Sequence, residues 1–167
     1  LPSTPIKSEQ IAIVDRGYRC IYSGVDFSGW KAANGWRSHD WQFRFHGSAD
    51  EADTSLESKE LFGDYGFIFD VRVSGETKPL AFQLRGKDIS AIQVAPDMYK
   101  GDLVLKGRNW NRFEGELRGD QLTLSLNGRK ILDGKKIESL PVKGPIRIVP
   151  TGPISMANVY VRSLDKR

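Results

Sequence analysis

Cysteine, histidine and uninterrupted apolar sequence are all scarce in this chain. Its 167 residues hold one cysteine, Cys20, and two histidines, His39 and His46. A single thiol excludes an internal disulfide and any multi-cysteine metal site. Cys20 lies in the apolar run Cys20-Ile21-Tyr22, where a small buried hydrophobe is the expected role. The histidines sit seven positions apart around a strand, which puts them on opposite faces and argues against joint ligation. No apolar run approaches the roughly 20 residues of a membrane-spanning helix. There is no Gly-rich phosphate loop, nucleophile elbow or His-Glu-x-x-His, so neither a cofactor nor a metal is expected. The net charge of +4 comes from 25 basic and 21 acidic residues. They are scattered rather than gathered into the stripe of a nucleic-acid binder. Helical periodicity is nearly missing, and no internal repeat occurs.

What the chain has instead is alternation. Segments of four to ten residues switch between apolar and polar, broken by Gly, Pro, Asn and Asp, which is the pattern of an antiparallel β protein. Expected strands are 19–23, 41–46, 54–58, 65–74, 80–85, 90–95, 102–106, 112–118, 122–127, 130–133, 146–149 and 154–164. Phe67, Phe69, Val71 and Val73 form the clearest buried stripe, opposed by Asp70 and Arg72. Phe113, Gly115 and Leu117 alternate with Arg112, Glu114, Glu116 and Arg118. Gly119-Asp120 then permits a reversal into Leu122, Leu124 and Leu126. Asn127-Gly128 supplies the positive φ values of a two-residue hairpin. One domain fits the length, with 1–18 read as a linker-like segment leading into the first strand and 19–167 as the sandwich. Pro2, Ser3, Thr4, Pro5 and Ser8 suggest a mature end left by a removed leader.

Several constellations could carry chemistry, and most have a simpler reading. Glu114 and Glu116 share a strand face about 6–7 Å apart, near the separation glycosidases use. Arg112 and Arg118 flank them, however, as on an ordinary solvated face. Asp50, Glu51 and Asp53 lack the spacing of a calcium loop. Arg118-Gly119-Asp120 reads as a hairpin turn, not an adhesion motif. The aromatic set Trp30, Trp36, Trp41, Trp110, Tyr65 and Tyr99 is larger than turn-forming needs. Most should be core, with one or two exposed to stack on a ligand. Trp36 and Tyr99, in loop-like surroundings, are the candidates.

Taken in order, the motifs resemble the 3-keto-disaccharide hydrolase domain family, which has a concanavalin A-like jelly roll of the lectin and glucanase type. Ile21-Tyr22-Ser23-Gly24-Val25-Asp26-Phe27-Ser28-Gly29-Trp30 is similar to the family's Leu-Phe-Asn-Gly-Lys-Asp-Leu-Ser-Gly-Trp. Leu56 to Tyr65, Trp110-Asn111 to Asn127-Gly128, Gly144-Pro145-Ile146 and Asn158-Val159 match later family segments. The resemblance covers roughly 21–164 and implies an all-β, single antiparallel sandwich. Where the family carries a glutamate, a histidine and an arginine, this chain has Ala91, Thr151 and Ala157, whereas Arg85 and Gln93 are kept. A methyl group cannot act as a general acid or base.

The resemblance therefore implies a carbohydrate-facing module with a degenerate catalytic site. Arg85, Gln93 and Gln83 would hydrogen-bond hydroxyls, and Trp36 or Tyr99 would stack. No catalytic residue is assigned. The alternative is an active hydrolase of 3-keto-disaccharides using Asp88, Asp97 or His39, and a third reading is a protein-interaction sandwich. If Arg85 is not a ligand residue, an ion pair with Asp88 or Asp97 is its expected role. The family's habits and the chain's linker-like start place it outside the cytoplasm.

Overall fold

A computed structural model of the chain describes residues 13–48, 52–73, 81–93 and 110–165. Thirteen strands appear among them: β1 (Arg19–Cys20), β2 (Trp30–Ala32), β3 (Trp36–His39), β4 (Gln42–Phe45), β5 (Leu56–Ser58), β6 (Tyr65–Val73), β7 (Ala81–Leu84), β8 (Lys87–Gln93), β9 (Asn111–Arg118), β10 (Gln121–Leu126), β11 (Arg129–Lys136), β12 (Arg147–Val149) and β13 (Ile154–Ser163). The only helical turn in the described residues covers 13–15. All strand pairs are antiparallel. They form an eight-stranded sheet in the order β11-β10-β9-β6-β13-β4-β3, with β1 also on β13, and a five-stranded sheet in the order β2-β5-β12-β7-β8. This is the expected β-sandwich of jelly-roll type. The 102–106 strand lies outside the described residues, and β2 and β3 were not expected.

The alternation read from the sequence builds the core. Phe67, Phe69, Phe113, Leu117, Leu122, Leu124 and Leu126 point inward from the larger sheet. Leu56, Phe82, Leu84, Ile146 and Ile148 meet them from the smaller one. Gly115 lies directly opposite Phe67. A Cβ there would fall 2.6 Å from the Phe67 ring and 2.7 Å from the Thr123 carbonyl oxygen, so the glycine makes room for the ring.

The other face of β6 is not the wet face expected of it. Ile68 is buried with Ile13, Tyr18 and Tyr160 in a second, outer cluster. Ile13 and Tyr18 lie in the stretch read as linker-like. The guanidinium groups of Arg16 and Arg162 both pack on the Tyr18 ring, 5.3 and 4.9 Å from its centroid. Asp70 is buried too. It accepts two 2.8 Å hydrogen bonds from Arg112 and one of 2.6 Å from Asn158 Nδ2. Asn158, with φ 51°, sits in the bulge where β13 stops pairing with β4 and begins pairing with β1.

Four tyrosines carry a pH consequence. Burial pushes the Tyr65 phenol far above its ordinary range, and raises those of Tyr18, Tyr22 and Tyr160 as well. Above about pH 10 the unfolded chain loses these protons while the folded chain keeps them, so stability falls as pH rises through that point. Tyr65 alone contributes a slope of about 1.4 kcal/mol per pH unit. Urea unfolding followed from neutral to strongly alkaline pH should show this decline, and Tyr65→Phe should flatten it.

Of the four two-residue hairpins among the described residues, three have positive φ at both central residues, while Gly119-Asp120 between β9 and β10 has it only at Gly119. Asn127-Gly128 (φ 50° and 83°) joins β10 to β11 as the sequence indicates. Arg85-Gly86 (52° and 72°) joins β7 to β8, and Asp40-Trp41 (49° and 61°) joins β3 to β4. Positive φ at both central residues marks the primed turn that suits strand twist. For a bulky residue such as Trp41 it is strained, by about 1–2 kcal/mol.

Candidate functional site

Register sets a row of long polar side chains across the outer face of the five-stranded sheet. Leu56, Ile148 and Phe82 point into the core, so their neighbours Glu57, Arg147 and Gln83 point out. Lys31 pairs with Glu57, Glu57 with Arg147, and Arg147 with Gln83, giving one straight line over β2, β5, β12 and β7. Beside it runs a lower row, where Val149 pairs with Ala81 and Ala81 with Gln93.

Arg147 is the centre of the row and is loosely held. Its Nη1 donates to Gln83 Oε1 at 3.2 Å. Its Nη2 stands 3.6 Å from Asp53 Oδ1, and its Nε stands 3.7 Å from Glu57 Oε2, too far for a hydrogen bond. Lys31 Nζ approaches Glu57 from the other side at 3.6 Å. Asp53 accepts from the Ser55 hydroxyl at 2.6 Å and the Ser55 amide at 2.9 Å. These bonds, with Arg147 nearby, hold its carboxyl below the usual range. Asp53 is thus a charged acceptor, the opposite of a general acid awaiting a proton.

Arg85 differs from the expectation in both place and role. It is buried and its φ is 52°, so the alternation that would turn it onto the outer face stops at Leu84. The side chain runs to the end of the sandwich. Nε donates to the Gly63 carbonyl at 2.7 Å, and Nη1 donates to those of Gly119 and Pro141 at 2.8 and 3.1 Å. Nη2 donates to Asp64 at 2.6 Å. With its guanidinium nitrogens committed in this way, it has no open fork for sugar hydroxyls, and it pairs with Asp64. Gly86 following Arg85 was the available turn signal.

The other expected site residues scatter. Gln83 lies on the outer face, half-buried, beside Arg147. Trp36 is not exposed: it is buried, with Nε1 donating to the Thr54 carbonyl at 2.8 Å. The backbone of Gln93 ends β8 opposite Ala81, while its side chain, those of Asp88 and Ala91, and all of Asp97 and Tyr99 lie outside the described residues. Asp50 and Glu51 do too. Glu114 and Glu116 keep the solvated reading, as Glu114 pairs with Arg16 and Glu116 with Arg118 and Arg162. His39 pairs with neighbouring Asp40. No group of three or more His, Cys, Asp or Glu able to hold a metal occurs among the described residues. No helix in them is long and apolar enough to cross a membrane.

A cleft of about 510 Å³ opens at the sandwich edge between 19–23, Gly29-Trp30 and 58–62. Its polar groups are bound to one another. Trp30 Nε1 donates to the Ile21 carbonyl at 2.7 Å, Ser58 Oγ donates to that of Glu60 at 2.8 Å, and Arg19 pairs with Glu60. Cys20, the second residue of β1, lies here exposed rather than buried. Its thiol is pushed up by desolvation, against the lowered value a nucleophile needs.

Likeness to solved structures is broad and shallow. A candidate glycosyl hydrolase from Parabacteroides distasonis superposes with a TM-score of 0.71 at 17% identity, over 96% of this chain and 98% of that one. The carbohydrate-binding module CBM66 from Bacillus subtilis gives 0.61 at 16% identity, over 81% and 96%. A Trypanosoma rangeli sialidase gives 0.55 at 10%, over 81% of this chain and 28% of that one. At such identities the likeness carries the fold. No family model and no curated protein matches the sequence.

Proposed function

We propose that the chain is a carbohydrate-binding sandwich that grips sugar hydroxyls on the outer face of its five-stranded sheet without cleaving them. The observation that carries this reading is the loose seating of Arg147. The contacts of its two Nη atoms, 3.2 Å to Gln83 and 3.6 Å to Asp53, can be exchanged for ligand hydroxyls at small cost. Arg85 and Arg112 are locked by bonds of 2.6–3.1 and 2.8 Å and cannot be. A guanidinium fork flanked by an amide and carboxylates offers planar donors and acceptors matched to vicinal hydroxyls. Gln83 and Glu57 complete the set. The solved relatives described as glycosyl hydrolases and a carbohydrate-binding module support the sugar class.

Arg147→Ala is expected to weaken glycan binding by about 1.5–3 kcal/mol, the range for hydrogen bonds to a charged group, with little change in melting temperature. Calorimetric titration with a sugar that binds the wild type checks this, and unchanged affinity removes Arg147 from the site. Hydrolysis is the second reading. Release of free sugar from a 3-keto-disaccharide by the pure protein establishes it in place of simple binding.

A further inference from the structure

Trp41 is exposed at 69%, the only tryptophan so placed among the described residues. It occupies the second central position of the β3–β4 hairpin with φ 61°, where glycine or asparagine is the ordinary choice. A large side chain held in a left-handed turn and mostly in water gains little from burial to offset the strain. Strain of this kind, tolerated in a surface turn, is a mark of function.

The ring is also held in position. It lies on Gly24, where an added Cβ would fall 1.9 Å from ring atom Cε3 and 2.3 Å from Cζ3, so only a residue without a side chain fits beneath it. Gly24 is itself fixed. Ser23 Oγ donates to Asp26 at 2.9 Å and accepts from the Val25 and Asp26 amides, while Asp26 accepts from the Ser28 amide at 2.9 Å. Tyr22 ties this loop to the hairpin. Its hydroxyl is 2.7 Å from Ser38 Oγ and donates to the Gln42 carbonyl at 3.0 Å. One face of the indole thus rests on a braced backbone, and the exposed part of the ring is presented to solvent.

The surroundings indicate what fits that ring. The centre of a protein interface is apolar and depleted of charged residues. Trp41 instead adjoins, through its neighbour Asp40, the polar chain His39–Asp40–Arg44, in which the Asp40 carboxylate lies 2.7 Å from His39 Nδ1 and 3.9 Å from Arg44 Nη2. A flat aromatic face beside exposed carboxylate and cationic groups matches a ring that is apolar on its faces and hydroxylated at its rim. Hexopyranosides with equatorial substituents present such faces, lined by axial C–H bonds. Equatorial β-linkage keeps successive rings flat enough to cross an open platform.

We propose that the Trp41 turn is a stacking platform for an equatorially linked β-hexopyranoside chain, a second sugar contact on the β3–β4 edge, independent of Arg147. The probes are cellohexaose and chitohexaose at millimolar concentration, read by calorimetry and by protection of tryptophan fluorescence from acrylamide. The other tryptophans are buried or half-buried, so quenching reports chiefly on Trp41. At least one probe should protect it. Trp41→Asn should lower that affinity roughly ten-fold or more while the melting temperature holds or rises, Trp41→Tyr should restore part of the binding, and Gly24→Ala, which displaces the ring without removing it, should weaken it. Arg147→Ala should leave this contact intact. Protection by neither probe overturns the proposal. So does full affinity in Trp41→Asn, or a loss produced by Arg147→Ala alone, which would assign the binding to the sheet face instead.

Discussion

Arg85→Ala should lower folding stability by about 3 kcal/mol or more, and the melting temperature by on the order of 10 °C. It removes four hydrogen bonds from a buried guanidinium, each worth about 1.5–3 kcal/mol. The carbonyls of Gly63, Gly119 and Pro141 would lose their common donor. Any of these carbonyls that water does not reach in place of the guanidinium costs about 1–3 kcal/mol. Asp64 is less affected, because at 36% side-chain exposure it can regain water and still accepts from the Gly119 amide. Arg85→Lys should rescue little, since one ammonium cannot replace a fork reaching four partners. Denaturant unfolding gives the stability change, and calorimetry on the folded mutant tests the site assignment. A mutant that melts like the wild type but no longer binds sugar would return Arg85 to the ligand site.

The second large effect is expected at Gly144, which lies against the same turn. A Cβ there would stand 2.3 Å from the Arg85 carbonyl oxygen and 2.5 Å from its carbon. These are backbone atoms, unable to swing aside as a side chain can. Gly144→Ala must therefore separate its loop from the β7–β8 turn. That loosens the paired bonds between Phe62 and Gly144 and the bond from the Gly86 amide to the Pro145 carbonyl. The expected loss is about 3 kcal/mol or more, at the upper end of overpacking costs. Combined with Arg85→Ala the effects should fall short of their sum, because the two residues hold one junction. Full additivity in a double-mutant cycle would show that they act separately.

Much of the fold was legible because its signals are local. Gly119-Asp120 and Asn127-Gly128 fix the β9–β10–β11 meander through turn chemistry alone, and the alternating leucines between them set its buried face. β2 and β3 carry no such signal. They are three and four residues long, and Trp-Lys-Ala and Trp-Arg-Ser-His alternate too briefly to stand out. The outer cluster under Ile13 and Tyr18 depends on segments far apart in sequence, so the face that carries Asp70 and Arg72 reads as wet from its own strand alone. The site was harder to read for a related reason. Alternation was carried through Leu84 into Arg85, across a turn that reverses direction. Gln83, one position before that turn's influence, was placed on the correct face, whereas Arg147 had nothing beside it in sequence to set it apart from other sheet arginines. An exposed tryptophan was expected, but Trp41 rather than Trp36 provides it. Asp40-Trp41 lacks the glycine or asparagine that announces a hairpin, so Trp41 read as the start of a strand.

The sparsely covered strand β11 ends the larger sheet with a row of lysines. It contributes Lys130, Lys135 and Lys136 along a run that is mostly exposed, and its pairing with β10 shifts register twice. Two molecules approaching through these edges would bring like charges together along ladders that do not match, and edge-to-edge growth is thereby discouraged. Copies of the chain held at high local concentration would thus remain separate molecules rather than join their sheets into fibres through this edge.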